Sequence, residues 1–451
     1  MENLDIAKFG GTSVAGLEAM TSSYKIVTAN PNTRVVVISA CSGVTNMLVE
    51  LASGSCSDDR IGELMDTLRS THLGIIEGFA DCEDVRARLE GCLKNIRELT
   101  RMAAMGRDDV LTDRIVSHGE LMSTLIFTAL FNHYGTKARW FDVRTVMRTD
   151  STFGCARPLF EVLGNLCAQK LLPLLDSGEI VITQGFIGAN NEGQTTTLGR
   201  GGSDYSAALL GEALNAATIS IWTDVPGVYT TDPRLVPNAR PIPELTYLEA
   251  AEMATFGAKI LHPSTLIPAV RRGIPVFVGS SREPGRGGTW VRPDTQSHPA
   301  FRAVALRKNQ TLIVLASPRM IGASGFLASV FSVFAKYRKS VDLVSTSEAS
   351  IAITLDAGTN TSGREGVPPE LLTELRRFCH VKVETGLSLV AIIGNQLSSL
   401  PGVTTRAFDS INRFAVRMIC YGASSHNLCF LLRESDAAEA LAEIHHHLLE
   451  D

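Results

Sequence analysis

The chain has 451 residues, of which 45% are hydrophobic and 20% are charged, and its formal net charge is −5. This length exceeds one ordinary domain, and the composition is typical of a globular protein. The slightly acidic balance argues against a dedicated nucleic-acid binder, and no apolar run reaches the length of a membrane span. We therefore expect neither nucleic acid nor a membrane as a partner. Nine scattered cysteines without CxxC pairs predict reduced thiols in a cytoplasm, not a disulfide framework or a zinc site.

The N-terminal segment combines a strand, a glycine turn and a helix. Leu4–Lys8 is a short predicted strand, Gly10–Ser13 follows it, and a helical pattern runs from Leu17 to Thr28. A strand end that leads into a helix N-terminus suits an anion in an open α/β sheet. Lys8 at the end of the strand is either a phosphate clamp or a solvated surface charge.

The next segments alternate a buried strand with a long helical region. Arg34–Ala40 is a β-branched strand of the kind found in a sheet covered on both faces. From residue 58 to residue 135 the pattern is helical. Within it, Gly119 beside Glu120 interrupts a good helix, where glycine costs up to about 1 kcal/mol against alanine. This pair indicates a close approach at Glu120, and an ordinary helical glutamate is the alternative.

A second glycine loop opens a second helix. After predicted strands at Ala138–Val143 and Glu179–Gly185, the loop Gly199–Gly202 precedes a helix over Tyr205–Ala213, with Ser203 and Asp204 as predicted N-caps. The free backbone N–H groups and the helix dipole favour an anion there. Arg200 adds a guanidinium that fits carboxylate or phosphate. The loop is therefore either an anion site or a plain glycine turn.

The rest of the first region continues the α/β pattern. A strand at Thr218–Thr223 precedes Asp224, a Pro-Gly turn and the polar loop Tyr229–Arg234, which suits either a nucleotide or a solvated surface. A helix at Leu248–Leu261 and a strand at Ile274–Gly279 follow. Alternating short strands and helices predict an α/β domain with a largely parallel sheet. The linker at residues 282–288 is predicted to close it.

The C-terminal region contains a repeat. Residues 330–355 and 406–432 each predict a helix followed by two strands. In the first of these repeats the earlier strand spans Ser340–Ser345. Residues 437–449 predict a closing helix. Similar units in series predict two small α+β domains with a regulatory or assembly role, or a simple structural duplication. The run His445–His447 is compatible with metal binding, although a helix end or a surface run is the simpler interpretation.

Several motifs resemble those of the bacterial aspartokinases, in the same order and nearly end to end. They are Lys8–Ser13, Thr197–Asp204, Trp222–Gly227, Tyr229–Arg234 and Phe256–Lys259. The segments Ser117–Ser123 and Met418–Asn427 resemble the monofunctional, lysine-sensitive type within that family.

The resemblance implies a fold and domain boundaries. Residues 1–290 would form the catalytic domain, a three-layer αβα amino-acid kinase fold with a mostly parallel sheet. Residues 291–312 would be a linker with strands contributed to the second ACT domain, so that Phe301–Leu306 packs with Leu389 onward. Residues 313–388 and 389–451 would be two α+β, ferredoxin-like ACT domains.

The resemblance also implies an activity. The enzyme would transfer the γ-phosphate of ATP to the β-carboxylate of L-aspartate, with Mg²⁺, giving 4-phospho-L-aspartate. This is the first step toward lysine, threonine and methionine, with feedback inhibition by L-lysine through the ACT domains of a homodimer or tetramer. The acceptor carboxylate has a pKa of about 3.9 and is already ionised at neutral pH, so no nucleophile-activating device is needed. The step needs positioning and positive charge instead.

Roles for individual residues follow from the family pattern. The catalytic residues are Lys8, which contacts the transferring phosphate, Asp204, which orients the lysines, and Lys259. Aspartate would be held by Thr45, Glu120, Arg200, Gly201, Gly202 and Ser203. ATP would be held by Lys8, Phe9, Gly10, Gly11, Thr223, Asp224, Tyr229, Arg234, Lys259 and Ile260. Allosteric lysine would be held by Met320, Gly325, Phe326, Leu327, Ser340, Val341, Asp342, Ser347 and Glu348. No protein ligand for a metal is named, and Ala323 departs from the family pattern, which has serine there.

The sequence alone leaves two other functions open. One is an amino-acid kinase that phosphorylates a different carboxylate; Glu120 and Arg200 favour an α-amino acid but do not set its length. The other is a non-catalytic amino-acid sensor, against which the intact Lys8, Asp204 and Lys259 argue.

Overall fold

The computed structural model describes residues 3–79, 83–106, 108–257, 261, 263–356 and 366–450. These residues form two compact units. The first comprises Met1–Val228, Ile242–Tyr247 and Ile260–Asp294, and the second comprises Tyr229–Pro241, Leu248–Lys259 and Thr295–Asp451.

The first unit is built on an eight-stranded sheet in the order β3-β4-β2-β1-β7-β9-β10-β8. Neighbouring strands pair in parallel, except that β10 is antiparallel to β9. The strands are β1 Asp5–Phe9, β2 Thr33–Ile38, β3 Ala138–Phe141, β4 Ile180–Gln184, β5 Ile187–Ala189, β6 Thr195–Thr197, β7 Thr218–Thr223, β8 Glu244–Thr246, β9 Val276–Ser280 and β10 Gly288–Arg292, of which β5 and β6 form a separate hairpin.

Helices cover both faces of this sheet. A continuous apolar core joins helices α1 to α6 to strands β1 and β2, with Phe9 and Ile38 fully buried in it. On the other side α9 packs on β1 and β7, with α7 and α11 beside it. The helices are α1 Leu17–Ala29, α2 Val44–Ala52, α3 Asp58–Glu77, α4 Glu83–Met105, α5 Asp109–Val116, α6 His118–His133, α7 Phe160–Lys170, α8 Leu172–Asp176, α9 Gly202–Leu214, α10 Tyr247–Phe256 and α11 Pro263–Arg272. The predicted three-layer αβα fold is confirmed.

The second unit contains a six-stranded antiparallel sheet in the order β12-β13-β11-β14-β16-β15. Its strands are β11 Phe301–Ala316, β12 Val344–Thr346, β13 Ser350–Asp356, β14 His380–Gly394, β15 Met418–Tyr421 and β16 Asn427–Arg433, and its helices are α12 Phe326–Lys336, α13 Pro369–Leu375, α14 Val403–Asp409 and α15 Glu434–His445, which continues into a π-helical turn, His446–Glu450.

Two α+β halves share the long strands β11 and β14. One core gathers α12 and α13 around Ile313 and Ile353, and the other gathers α14 and α15 around Val390 and Phe430. The first part of β11 pairs with the end of β14, from Phe301 opposite Gly394 to Leu306 opposite Val390. The predicted pair of α+β domains is confirmed as a fold, whereas the boundaries at residues 290, 312 and 388 stay predictions.

Three predicted elements differ from the structure. Helix α9 begins at Gly202 with Gly201 as its N-cap in the left-handed region, so Ser203 and Asp204 lie in its first turn and do not cap it. The reason is that Gly199 and Gly201 both adopt positive φ and complete the turn earlier. The predicted strand Ser340–Ser345 is reduced to Val344–Thr346. Helix α10 ends at Phe256 and not at Leu261, and residues 258–260 lie outside the described part.

Candidate active site

The candidate site lies where parallel strands of the first unit end. The carboxyl ends of β1, β2, β4, β7 and β9 meet at one edge of the sheet, because these strands are parallel neighbours. Open α/β sheets bind ligands at this edge. The residues that follow these strands therefore define the site.

Lys8 is the central charged group at this edge. Its ammonium nitrogen lies 2.5 Å from Asp204 Oδ1, and 8% of the residue is exposed. Asp204 reaches it from the first turn of α9, which follows the second glycine turn. The structure thus brings together two residues that the family pattern placed in one catalytic group.

The first glycine turn packs closely against neighbouring strand ends. The Gly10 N–H donates to the Trp222 carbonyl at 3.0 Å. A Cβ on Gly11 would lie 2.8 Å from the Ala40 carbonyl oxygen, closer than side chains tolerate. Because Gly11 has no side chain, the turn after β1 lies directly against the loop after β2.

Gly185, which was not predicted as a site residue, fixes the position of the second glycine turn. A Cβ on Gly185, just after β4, would lie 2.6 Å from the Ser203 Cβ, and one on Gly202 would lie 2.8 Å from the Phe186 ring. These two glycines let the start of α9 approach the end of β4. The glycine that ends the predicted strand Glu179–Gly185 was the available signal.

Asp113 is a second residue that the sequence did not reveal. Its carboxylate accepts hydrogen bonds from the Thr197 N–H and hydroxyl, both at 2.8 Å, and from the Gly154 N–H at 3.0 Å. Burial raises the pKa of Asp113 to about 6, against the lowering effect of these hydrogen bonds. Asp113 thereby anchors the strand that leads into the second glycine turn. A single helical aspartate gives no sequence signal for this role.

Glu120 is a buried carboxylate at the start of α6. Its Oε1 accepts a hydrogen bond from the Ala40 N–H at 3.1 Å, and its Oε2 is buried with no hydrogen-bond partner among the described residues. A Cβ on Gly119 would lie 2.7 Å from the Ala40 Cβ. The close approach that the Gly119–Glu120 pair indicated is therefore contact with the loop after β2.

The electrostatics of Glu120 favour a positively charged ligand. Burial raises the pKa of Glu120 to about 8, while the Ala40 N–H and the positive charge of Lys8 act in the opposite direction. Burial also raises the pKa of the nearby Cys41 thiol to about 12, with the Glu120 charge as the second cause. A cation at the unpartnered Oε2 would stabilise the carboxylate form of Glu120. The arrangement suits an ammonium group.

The other predicted site residues of the first unit differ in exposure. Thr45 lies half-buried in the first turn of α2, and Arg200 is exposed on the second glycine turn. The Thr223 hydroxyl donates to Asp224 Oδ1 at 3.1 Å after β7. Ser203 is half-buried in α9.

Of four further residues predicted to bind the nucleotide, two belong to the second unit and two lie outside the described residues. Tyr229 and Arg234 belong to the second unit, where Arg234 forms an ion pair with Asp232 at 2.7 Å. Lys259 and Ile260 lie outside the described residues. The assignment of these four residues to ATP stays a prediction.

Two serines complete the edge after β7 and β9 and were not predicted. The hydroxyl oxygens of Ser13 and Ser281 are 2.7 Å apart, and Ser281 Oγ donates to the Thr223 carbonyl at 3.1 Å. They tie the first glycine turn to the end of β9. Hydroxyl residues directly after a buried strand were the signal that could have found Ser281.

The second unit contains a cavity with a volume of about 580 Å³. Six of the residues predicted for lysine line it: Met320, Gly325, Phe326, Leu327, Ser347 and Glu348. Asp342 instead lies 3.3 Å from Arg307, and burial raises its pKa. Ser340 and Val341 precede it in the same loop, and among the described residues none of these three lines the cavity.

Within the described ranges, no helix combines the length and apolarity needed to cross a bilayer.

Residues 4–280 match the model of the amino acid kinase family, and residues 390–448 match an ACT domain. The fold and the strand-end site thus define the class as the amino acid kinases.

Individual relatives narrow the class. The chain is 52% identical over 451 residues to "Lysine-sensitive aspartokinase 3" of Escherichia coli (strain K12), covering 100% of both chains. It is 35% identical to "Aspartokinase 1, chloroplastic" of Arabidopsis thaliana, covering 99% of this chain and 80% of that protein. The chain belongs to the aspartokinase family.

Two solved structures of an aspartokinase match nearly the whole of this chain. E. coli aspartokinase III in complex with aspartate and ADP, in the R-state, matches with a TM-score of 0.93 at 52% identity, covering 99% of this chain and 100% of that one. The same enzyme in complex with lysine and aspartate, in the T-state, matches with a TM-score of 0.82 at 51% identity, covering 99% of each chain.

Proposed function

We propose that this chain transfers the γ-phosphoryl group of ATP to the β-carboxylate of L-aspartate, giving 4-phospho-L-aspartate and ADP. The observation that carries the proposal is Lys8, held by Asp204 at the strand edge between two glycine turns, with the buried Glu120 nearby. The complex of the E. coli relative with aspartate and ADP supports the choice of substrates.

The reaction needs little covalent chemistry from the protein. The β-carboxylate of aspartate, with a pKa of about 3.9, is ionised at neutral pH and supplies the electron pair. A new bond forms between a carboxylate oxygen and the γ-phosphorus, and the bond from that phosphorus to the β–γ bridging oxygen breaks. ADP leaves with the bond's electrons, so charge must be neutralised on the moving group. In this proposal Lys8 and the backbone N–H group of Gly11 do this, and Asp204 orients Lys8.

Aspartate is proposed to bind through its two kinds of charge. Glu120 takes the α-ammonium group, because its Oε2 is buried and has no hydrogen-bond partner in the described part of the chain. Arg200, exposed on the second glycine turn, pairs with a carboxylate. Thr45, Gly201, Gly202 and Ser203 surround the same edge and complete the proposed substrate site.

ATP is proposed to lie along the ends of β1 and β7. Phe9, Gly10 and Gly11 approach its phosphates, and Thr223 and Asp224 follow the neighbouring strand. The described residues contain no cluster of three potential metal-ligating side chains. We propose that Mg²⁺ is held mainly by the phosphates and water, which matches its reluctance to lose hydration.

Inhibition by L-lysine is proposed to act through the cavity of the second unit. The name of the E. coli relative and its complex with lysine support this ligand. Glu348 lines the cavity and suits an ammonium group, while Asp342 is engaged by Arg307 in the described structure.

Assembly as a homodimer through the ACT domains, or as a tetramer, belongs to the same proposal. The outer strands β12 and β15 carry partly exposed apolar side chains, namely Val344, Ile419 and Tyr421. Apolar side chains that water can reach are available to pack against a second copy of the chain. The free thiols support a reducing, cytoplasmic location.

Trapping of the acyl phosphate with hydroxylamine tests the function. Purified protein with ATP, Mg²⁺ and aspartate should give a hydroxamate, and glutamate should give none. A signal with glutamate in place of aspartate would support the alternative carboxylate kinase. No signal with either amino acid would support the non-catalytic sensor.

A further inference from the structure

A cavity of about 440 Å³ in the first unit is separate from the strand-end site. It is bounded by α4, the junction of α5 and α6, and the segment around β3 and β6, and none of its lining residues has been placed in the active site. The lining residues used below are Arg88, Arg114, Arg144, His118, Trp140 and Leu125.

Three guanidinium groups line this cavity. Arg144 is paired with Asp142 at 2.7 Å and also donates to the Thr195 hydroxyl at 3.0 Å. In the described part of the chain, neither Arg88 nor Arg114 forms an ion pair with a carboxylate, and no lining residue is acidic. Two positive charges are therefore left without a compensating negative charge.

Electrostatic effects on neighbouring groups agree with this charge. Desolvation lowers the pKa of the buried His118, and the positive charges of Arg144 and Arg114 lower it further. Burial raises the pKa of the Cys92 thiol, while Arg88 and Arg144 oppose the rise. His118 Nδ1 lies 2.8 Å from the Arg114 carbonyl oxygen, which accepts its hydrogen, and His118 Nε2 lies 3.1 Å from the Asn95 side-chain nitrogen. A neutral His118 satisfies both contacts, donating through Nδ1 and accepting through Nε2.

The cavity also has apolar and aromatic lining residues. The Arg88 guanidinium lies 4.8 Å from the centroid of the Trp140 ring, and Trp140 is fixed by donating to the Thr124 hydroxyl at 3.0 Å. Leu121 and Leu125 of α6 complete this side. The volume lies in the range of small-molecule sites, and the lining combines these apolar side chains with a larger set of polar ones.

We propose that this cavity binds a small phosphate monoester, whose dianionic group pairs with Arg88 and Arg114 and whose uncharged part lies against Trp140 and the α6 leucines. The planar guanidinium fork fits two phosphate oxygens at once, and two unpaired arginines match a double negative charge. The site also adjoins elements that carry the active site. His118 precedes Glu120 on α6, and Thr195 precedes the Thr197 that Asp113 holds.

Titration calorimetry of the full-length protein, without ATP, with phenyl phosphate as the probe tests the assignment. Saturable binding is expected, and inorganic phosphate should bind more weakly because it lacks the apolar part. Arg88→Gln and Arg114→Gln should each weaken the binding of phenyl phosphate by about tenfold or more. Arg97→Gln is the matched control, since Arg97 is exposed on α4 and does not line the cavity.

Lys8→Ala separates this cavity from the catalytic edge. Phenyl phosphate should bind the Lys8→Ala variant with unchanged affinity. Loss of binding in Lys8→Ala together with normal binding in both arginine variants would place the probe at the strand edge and overturn the proposal. Absence of saturable binding to the wild-type protein, or equal affinity for inorganic phosphate, would also overturn it.

Discussion

The ammonium group of Lys8 lies 2.5 Å from the Asp204 carboxylate, at the point where β1 ends and α9 begins. Both groups are largely shielded from water, so their attraction is stronger than between exposed side chains. The contact fixes the direction of Lys8 and leaves its remaining N–H bonds for a phosphate. The ion pair is therefore the feature on which catalysis in this account depends.

Replacing Lys8 by alanine should lower kcat by about 10²- to 10³-fold, because a charge that stabilises the moving phosphoryl group is lost. The hydroxamate assay measures the change, and circular dichroism checks that the variant is folded. Lys25→Ala, at an exposed position of α1, is the matched control and should keep full activity. Normal kcat in a folded Lys8→Ala variant would remove Lys8 from the mechanism.

The KM for aspartate should depend on the ionisation of Glu120. Its pKa is raised to about 8 in the unliganded protein, so the carboxyl group is mostly protonated at pH 6. Only the carboxylate pairs well with the ammonium group, and KM should therefore fall as pH rises from 6 to 8 and level off above. Glu120→Gln should raise KM and lose this dependence. A wild-type KM that stays constant between pH 6 and 8 would contradict the assignment.

The same group should affect stability. Because the folded-state pKa of Glu120 is raised above its ordinary value of 4.5, its contribution to the free energy of unfolding is full below about pH 4.5 and is lost as pH rises through about 8. Comparing denaturant unfolding of the wild type and Glu120→Gln at pH 6 and pH 8.5 measures this. The wild type should lose more stability than the variant over this interval, and an equal loss would speak against a raised pKa.

Gly119→Ala should displace the start of α6. The new Cβ would lie 2.7 Å from the Ala40 Cβ, and overpacking of this kind costs about 1–3 kcal/mol. The Tm should fall and the KM for aspartate should rise, since Glu120 moves with the helix. Gly74→Ala in α3 is the control, because its Cβ meets open space; it should stabilise the protein by about 0.5–1 kcal/mol. If both variants behaved alike, close packing at Gly119 would not be the cause.

Much of this site could be predicted from the sequence because local patterns carry it. A strand that ends in Lys8, followed by two glycines and a helix, defines the first turn without any knowledge of distant contacts. Asp204 was found by its family motif, but its predicted role as an N-cap was wrong, because the positive φ of Gly199 and Gly201 is not readable from composition. Asp113 and Gly185 act through contacts with residues far along the chain, which no local pattern reports.

Glu348→Ala should weaken inhibition by L-lysine and leave kcat without lysine unchanged. Glu348 lines the cavity of the second unit, and its removal takes away a carboxylate that suits the ligand's ammonium group. Inhibition curves with lysine measure the shift, with threonine and methionine as alternative effectors. Glu370→Ala, at an exposed position of α13, is the control. An unchanged lysine curve in Glu348→Ala would place the effector elsewhere.

The most direct test of the central claim is a crystal structure with aspartate, Mg²⁺ and a non-hydrolysable ATP analogue. The account predicts that the terminal phosphate lies within hydrogen-bonding distance of Lys8 Nζ and of the backbone N–H groups after β1, with the aspartate ammonium at Glu120. A terminal phosphate bound away from Lys8 and from both glycine turns would contradict it.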